Sequence, residues 1–211
     1  GGAVRMLAAD PPDQVLLLER LDAARPLTAV SILEACEVIG SLFSALDRPA
    51  PPQIDTVADV LGAWEPPDAS PLVPQRLVQQ AMRLEADLLA DPPPARLVHQ
   101  DLHDGNVLAP LDPSRGDWLA IDPKPVAAEW AFAVAPIVWN RPDELARAYN
   151  LRTHVRMRAD IVAEVAGLDP ERVRAWTFVR LVRNAAWAGG FAPASEEFLT
   201  RMIALAKAFA S

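Results

Sequence analysis

Apolar positions along this chain recur in two ways, and the change between them divides it. In the first twenty residues they form short blocks, Ala3-Val4-Arg5-Met6-Leu7 and Gln14-Val15-Leu16-Leu17-Leu18-Glu19, on either side of Asp10-Pro11-Pro12-Asp13. Two β-type runs around a turn-forming tetrapeptide predict a hairpin. Two strands alone are marginal in water, so this hairpin is expected to belong to a larger sheet. Glu19 to Pro26 then leads into a helical pattern. Val30, Leu33, Ile39, Leu42, Phe43 and Leu46 fall at steps of three, four and their sums, which predicts a helix from Thr28 to Leu46 with Thr28 as N-cap. Residues 47–75 carry Pro49, Pro51, Pro52, Pro66, Pro67, Pro71 and Pro74 and read as loop, with room for one short helix around Thr56 to Trp64. Leu77, Ala81, Leu84 and Leu88 mark a helix from Gln75 to Ala90, which Asp91-Pro92-Pro93-Pro94 stops.

Beyond it the pattern becomes strand, polar loop, strand, turn, strand: Leu97-Val98, then Val107-Leu108, then Trp118-Leu119-Ala120-Ile121 ending on Asp122. From about Ala127 the chain reads as successive helices, with breaks at Asn140-Arg141-Pro142 and Gly167-Leu168-Asp169-Pro170. Asp169 as N-cap with Pro170 at the first helical position starts one helix, which Gly189-Gly190 ends. Glu196 to Ala210 forms the last, with Phe198, Met202, Leu205 and Phe209 on one face. The fold class is α+β, mainly α.

Composition narrows the functional classes. With 211 residues, 51% of them hydrophobic, the chain can bury a proper core as one domain, or one lobe with part of another. A net charge of −8 excludes a nucleic-acid surface, which needs clustered Lys and Arg. Cys36 is the only cysteine, so neither a disulfide framework nor a cysteine zinc site is available, and a core position on a helix is expected for it. No run of eighteen uncharged apolar residues occurs, which predicts a soluble, cytoplasmic protein without membrane contact.

The chemistry is concentrated in residues 97–108, Leu-Val-His-Gln-Asp-Leu-His-Asp-Gly-Asn-Val-Leu. His99, Asp101 and Asn106 have the spacing H-x-D-x-x-x-x-N, in which an Asp accepts a hydroxyl proton and an amide holds magnesium during phosphoryl transfer. Asp122 brings a further oxygen ligand. Magnesium favours a few hard oxygen ligands from protein, with nucleotide phosphates and water completing the set, so Asn106 and Asp122 suit it. Asp101 is the candidate base and His99 its support in the loop. His103 and Asp104 read as turn formers. A hydrolase triad with His99 and Asp101 lacks a Gly-x-Ser-x-Gly elbow, and turn residues between His99 and His103 argue against a helical metal pair.

Together with Trp118 to Lys124 and the later Trp139-Asn140-Arg141, this loop resembles the aminoglycoside phosphotransferases, in particular the streptomycin 6-phosphotransferase and hydroxyurea-resistance branch. The resemblance implies a protein-kinase-like fold that uses ATP and Mg2+ to phosphorylate a hydroxyl of a small molecule. It implies Asp101 as catalytic base, and Asn106 and Asp122 as metal ligands. On it, residues 1–21 are the end of the small lobe, with Glu19 to Leu21 as the hinge that meets adenine. Residues 22–211 are the helical large lobe, and the chain is expected to be a fragment lacking most of the nucleotide-binding lobe.

Two departures matter. Gln100 stands where the family commonly has glycine, and the stretch Glu129 to Val134 offers Ala133 where many relatives have an Asp that braces the catalytic loop, so support must come from elsewhere. Acidic groups such as Glu129, Glu196 and Glu197 are candidates to pair with a cationic acceptor. Trp130, Trp139, Trp176 and Trp187 are candidates for ring stacking or for core packing. Lys124 is placed to touch phosphate. The alternatives are a kinase-like protein that binds a nucleotide or small molecule without transfer, and a kinase for a sugar or amino alcohol.

Overall fold

The structure, a computed structural model, describes residues 1–64, 72–189 and 196–210. The expected hairpin forms: β1 (Met6–Asp10) pairs antiparallel with β2 (Val15–Leu18). It buries none of its side chains, and Met6, Leu7, Val15, Leu16 and Leu17 are each more than half exposed. Just before it, Ala3 bridges to Ala120 and ties the amino terminus to the strands beneath the catalytic loop.

The stretch read as a lead into the first helix is instead a strand. β3 (Leu21–Pro26) pairs antiparallel with β5 (Val107–Pro110), which also pairs with β6 (Leu119–Ala120). Asp22-Ala23-Ala24-Arg25 has little β propensity, and pairing with a strand far along the chain decides its conformation. The first helix, α1 (Ile32–Leu46), starts later than predicted because Ser31 is its N-cap, accepting from the Glu34 N–H at 3.3 Å. Thr28 lies in a 3₁₀ turn, Leu27–Ala29, and Leu33, expected on the buried stripe, is 41% exposed.

The short helix α2 (Val57–Leu61) is held by a capping box between Thr56 and Asp59, and α3 (Gln75–Ala90) matches its predicted limits. Pro66, Pro67 and Pro71, assigned to loop, lie outside the described residues. A second missed strand follows the metal-type Asp: β7 (Pro125–Ala128) pairs antiparallel with β4 (Arg96–His99), placing His99 opposite Pro125 and Arg96 opposite Ala128. Trp130–Val134 is a buried 3₁₀ turn.

The helical remainder is α4 (Ala135–Trp139), α5 (Pro142–Arg147), α6 (Leu151–Ala166), α7 (Pro170–Gly189) and α8 (Glu196–Phe209). The breaks before α5 and α7 fall where Pro and Gly predicted them, whereas the one between α5 and α6, where Asn150 caps α6, was not predicted. Gly167, at φ +65°, ends α6 in a left-handed turn, and Asp169 accepts from the Glu171 N–H at 2.8 Å to start α7. Gly190 lies outside the described residues. α7 packs against α3, α6 and α8, burying Trp176, Phe178, Leu181 and Val182, while α1 crosses α6. Gly40 permits that crossing, since a Cβ there would stand 2.8 Å from Val165 Cβ. Cys36 is buried in this core, and burial pushes its thiol up to about 12. Among the described residues no helix is long and apolar enough to cross a membrane.

Candidate active site

β4 ends at His99, the chain turns through Asp101 and a 3₁₀ turn (Asp104–Asn106), and β5 and β6 carry it back to Asp122. Hydrogen bonds knit these pieces together. The Asp101 N–H donates to His99 Nδ1 at 3.2 Å, so the His99 proton sits on Nε2 and is given to the Ile121 carbonyl at 3.1 Å. His99 is buried, and burial holds it below the usual histidine range and therefore neutral. Asn106 Nδ2 donates to the Asp101 carbonyl at 2.9 Å, and the Ile121 N–H donates to the Asn106 carbonyl at 2.9 Å. The segments bearing Asp101, Asn106 and Asp122 are thereby locked into one cluster.

Two features mark this cluster as more than a turn. Asp122 has φ +50°, a conformation uncommon for a residue with a side chain and frequent where function fixes the backbone. Asp101 is met by Lys124, whose Nζ lies 2.5 Å from Oδ2, and this carboxylate raises the Lys124 pKa. Lys124 is 56% exposed and sits on a flexible stem, so the pair can open to a ligand.

The brace absent at Ala133 is replaced from another direction. Asp104, read as a turn former, is 2% exposed and accepts from Arg141 Nε at 2.7 Å. Burial alone would raise the Asp104 pKa, but the Arg141 guanidinium and the neighbouring His103 ring outweigh it and hold the carboxyl below its usual value. The same guanidinium donates to the Val30 and Leu27 carbonyls at 2.9 and 3.1 Å. Arg141 itself has φ +55°, so the catalytic loop is pinned to the start of α1 by a residue in a strained conformation. The signal available in the sequence was Arg141 immediately ahead of Pro142, a position where helical backbone is disfavoured.

The remaining predicted residues lie elsewhere. Glu19 is bound by Arg115 at 2.8 Å and by the Arg5 N–H at 2.9 Å, and Leu21 begins β3 opposite Pro110. Glu129 accepts from Arg172 and from Trp176 Nε1, the latter at 2.7 Å. It borders a cavity of about 720 Å³ at the end of the β4–β7 ladder away from Asp101. Glu196 and Glu197 are exposed on the first turn of α8. Trp130 and Trp176 are core residues, Trp187 is 60% exposed, and Trp139 packs against Arg180.

No three His, Cys, Asp or Glu side chains form a metal-binding group among the described residues. Asn106 and Asp122 nevertheless suit magnesium. The Asn106 amide nitrogen is engaged by the Asp101 carbonyl, so the amide oxygen and the Asp122 carboxylate are the hard oxygens that would hold such an ion, with phosphates and water completing its set.

This strand and helix arrangement matches that of solved structures. Choline kinase LicA from Streptococcus pneumoniae superposes with a TM-score of 0.60 at 11% identity, covering 98% of this chain and 74% of that one. An ethanolamine kinase from Plasmodium vivax gives 0.55 at 12% identity, covering 100% and 68%. The fold is therefore protein-kinase-like.

Sequence comparison is more specific. Residues 1–190 match the model of the aminoglycoside/hydroxyurea antibiotic resistance kinases, and the chain belongs to that family. It is 38% identical to a streptomycin 6-kinase of Streptomyces glaucescens and 38% identical to a hydroxyurea phosphotransferase of Kitasatospora aureofaciens, over 88% of its length in both cases. The chain spans 62% and 54% of the length of those two relatives.

Proposed function

We propose that this chain carries the catalytic half of a phosphotransferase that moves the γ-phosphoryl group of ATP to a hydroxyl of a small molecule, with an aminoglycoside such as streptomycin as the acceptor. The observation that carries this reading is the locked cluster of Asp101, Asn106 and Asp122 in a member of the antibiotic resistance kinase family. The acceptor hydroxyl gives its proton to Asp101 as its oxygen bonds to phosphorus, and the bond from phosphorus to the ADP oxygen breaks. Bound through Asn106 and Asp122, Mg2+ would neutralise phosphate charge. Lys124 moves from Asp101 to the phosphate oxygens, and neutral His99 holds the Asp101 backbone in place.

The exposed apolar hairpin supports assigning residues 1–21 to the small lobe, with Glu19 to Leu21 as the hinge against adenine. Glu196 and Glu197, both exposed, are candidates to meet ammonium or guanidinium groups, whereas Glu129 is already committed to Arg172 and Trp176. A coupled assay with streptomycin, hydroxyurea and a panel of polyols tests the proposal. Turnover that needs Mg2+ and disappears in Asp101→Asn supports it. ATP binding with no phosphorylated product by mass spectrometry would replace it with a non-transferring, kinase-like binder.

A further inference from the structure

Arg180, on α7, stands apart from the other arginines drawn into the protein. Arg115, Arg141, Arg158, Arg172 and Arg183 each meet a carboxylate within 3.3 Å. Arg156 sits on the Ala208 carbonyl in the last turn of α8, where the helix dipole favours a cation. Among the described residues Arg180 has no carboxylate partner. Its guanidinium lies against two rings, 4.5 Å from the Phe132 centroid and 5.1 Å from that of Trp139, and its Nη1 donates to the Phe132 carbonyl at 3.0 Å.

A guanidinium held in this way is pre-ordered. Two aromatic rings hold it and one N–H is fixed, which among the described residues leaves the planar fork of Nε and Nη2 as its uncommitted edge. Arg180 is half-buried, and a cation partly withdrawn from water without an anion is unfavourable, so burial lowers its pKa to about 10. The charge that opposes this shift is that of Asp101. Trp139, one wall of the clamp, lies two residues before Arg141, which holds Asp104 in the catalytic loop. The clamp therefore adjoins the segment that braces the loop of Asp101, and the ligand this cation lacks is an anion.

We propose that Arg180 is the anchor for an anionic phosphoryl group beside Asp101, donating its free edge to the oxygens of the group as it passes to the acceptor. This rests on the phosphotransferase reading for its catalytic role, though the anion site itself does not. Arg180 forms no covalent bond and gives up no proton. It counters the charge spread over the phosphoryl oxygens, as an arginine supplied in cis does in other phosphoryl transfers. Lys124 and Arg180 would then approach the group as a mobile point charge and a fixed planar fork.

The test pairs binding with turnover. Wild type, Arg180→Met and Arg180→Lys are titrated with inorganic phosphate by calorimetry, and transfer from ATP to streptomycin is followed in parallel. Arg180→Met should weaken phosphate binding about tenfold or more and lower kcat about 100-fold, with acceptor KM changed less than about threefold. Arg180→Lys should fall between, and it carries the test if the methionine variant does not fold. Phosphate bound equally by wild type and variants, or not bound by wild type, overturns the proposal. Phosphate binding that depends on Arg180 in a wild-type chain without turnover upholds the anion site and sinks the kinase reading. Turnover equal in wild type and both variants does the reverse.

Discussion

The β4–β7 ladder has carboxylates at both ends, and the two ends treat them differently. At the Arg96–Ala128 end, Asp47 receives two guanidinium bonds from Arg96 at 2.6 and 2.7 Å and one from Trp130 Nε1 at 2.8 Å. Glu129 repeats the arrangement with Arg172 and Trp176. Each carboxylate there meets a planar fork and an indole, a set that fixes position and leaves little capacity for a ligand. At the His99–Pro125 end, about 10 Å along the ladder at strand spacing, the Asp101 carboxylate meets a half-exposed lysine, Lys124, and no guanidinium or indole among the described residues. Two like arrays of charge thus differ in whether they are closed. The closed end holds the fold, and under the proposed function the open end is where an acceptor and a phosphate would bind.

The largest effect that separates the ends is expected from Asp101→Asn. Loss of the proton acceptor should lower phosphotransfer about 10³-fold, with a melting temperature close to wild type. A variant that loses stability in step with activity would make Asp101 a structural residue and erase the distinction. Glu129→Gln should do the opposite. It strips Arg172 and Trp176 of their shared partner, costing about 3 kcal/mol, or about 9 °C in Tm for a chain of this size. At a temperature where the variant is folded, its kcat should stay within about threefold of wild type. A collapse of kcat without loss of Tm would show that the Glu129 end takes part in the chemistry.

How far these ends could be read from the sequence depends on how local each contact is. Asp101, Asn106 and Asp122 were legible because a short loop and one hairpin bring them together, and the spacing encodes the geometry. The limits of α3 and the breaks before α5 and α7 were legible for a similar reason, since Pro, Gly and capping residues act on their own neighbours. β3 and β7 were not, because their residues become strands only by pairing with distant segments. Arg180 was equally hidden. It sits in an ordinary helical pattern, and its meaning comes from Phe132 and Trp139, which belong to a different part of the chain. Asp104 does open a turn, as read, but its contact with Arg141 was missed because nothing in its neighbourhood announces that residue.

That pair gives the next effect in size. Arg141 and Asp104 lie on the open side but are themselves a closed contact, 2.7 Å and largely buried. A double-mutant cycle with Arg141→Gln and Asp104→Asn, measured by urea unfolding, should return a coupling of about 2 kcal/mol. Each single variant should also lower kcat about tenfold, since the loop it holds carries Asp101. Coupling without any change in kcat would confine the pair to folding, and the catalytic loop would need another brace.

The smallest effect concerns His99, which joins the two behaviours in one side chain: closed in its hydrogen bonds, yet beneath the reacting carboxylate. Both ring nitrogens are engaged only while the ring is neutral, and burial holds its pKa below 6.5. The sign follows from proton counting. As pH falls below 6.5 the unfolded chain binds a proton that the folded chain resists, so stability is fully present above 6.5 and declines toward the lowered folded value. His154, also lowered by burial, contributes a slope of the same sign, and it remains in both proteins when wild type is compared with His99→Gln. Asp104 acts in a separate window, below 3.8. Urea unfolding between pH 5 and 7.5 should therefore show a shallower pH dependence in His99→Gln than in wild type. Equal slopes would mean that the ring accepts a proton without loss, and the hydrogen bond from the Asp101 N–H to Nδ1 could then not be what holds the catalytic backbone.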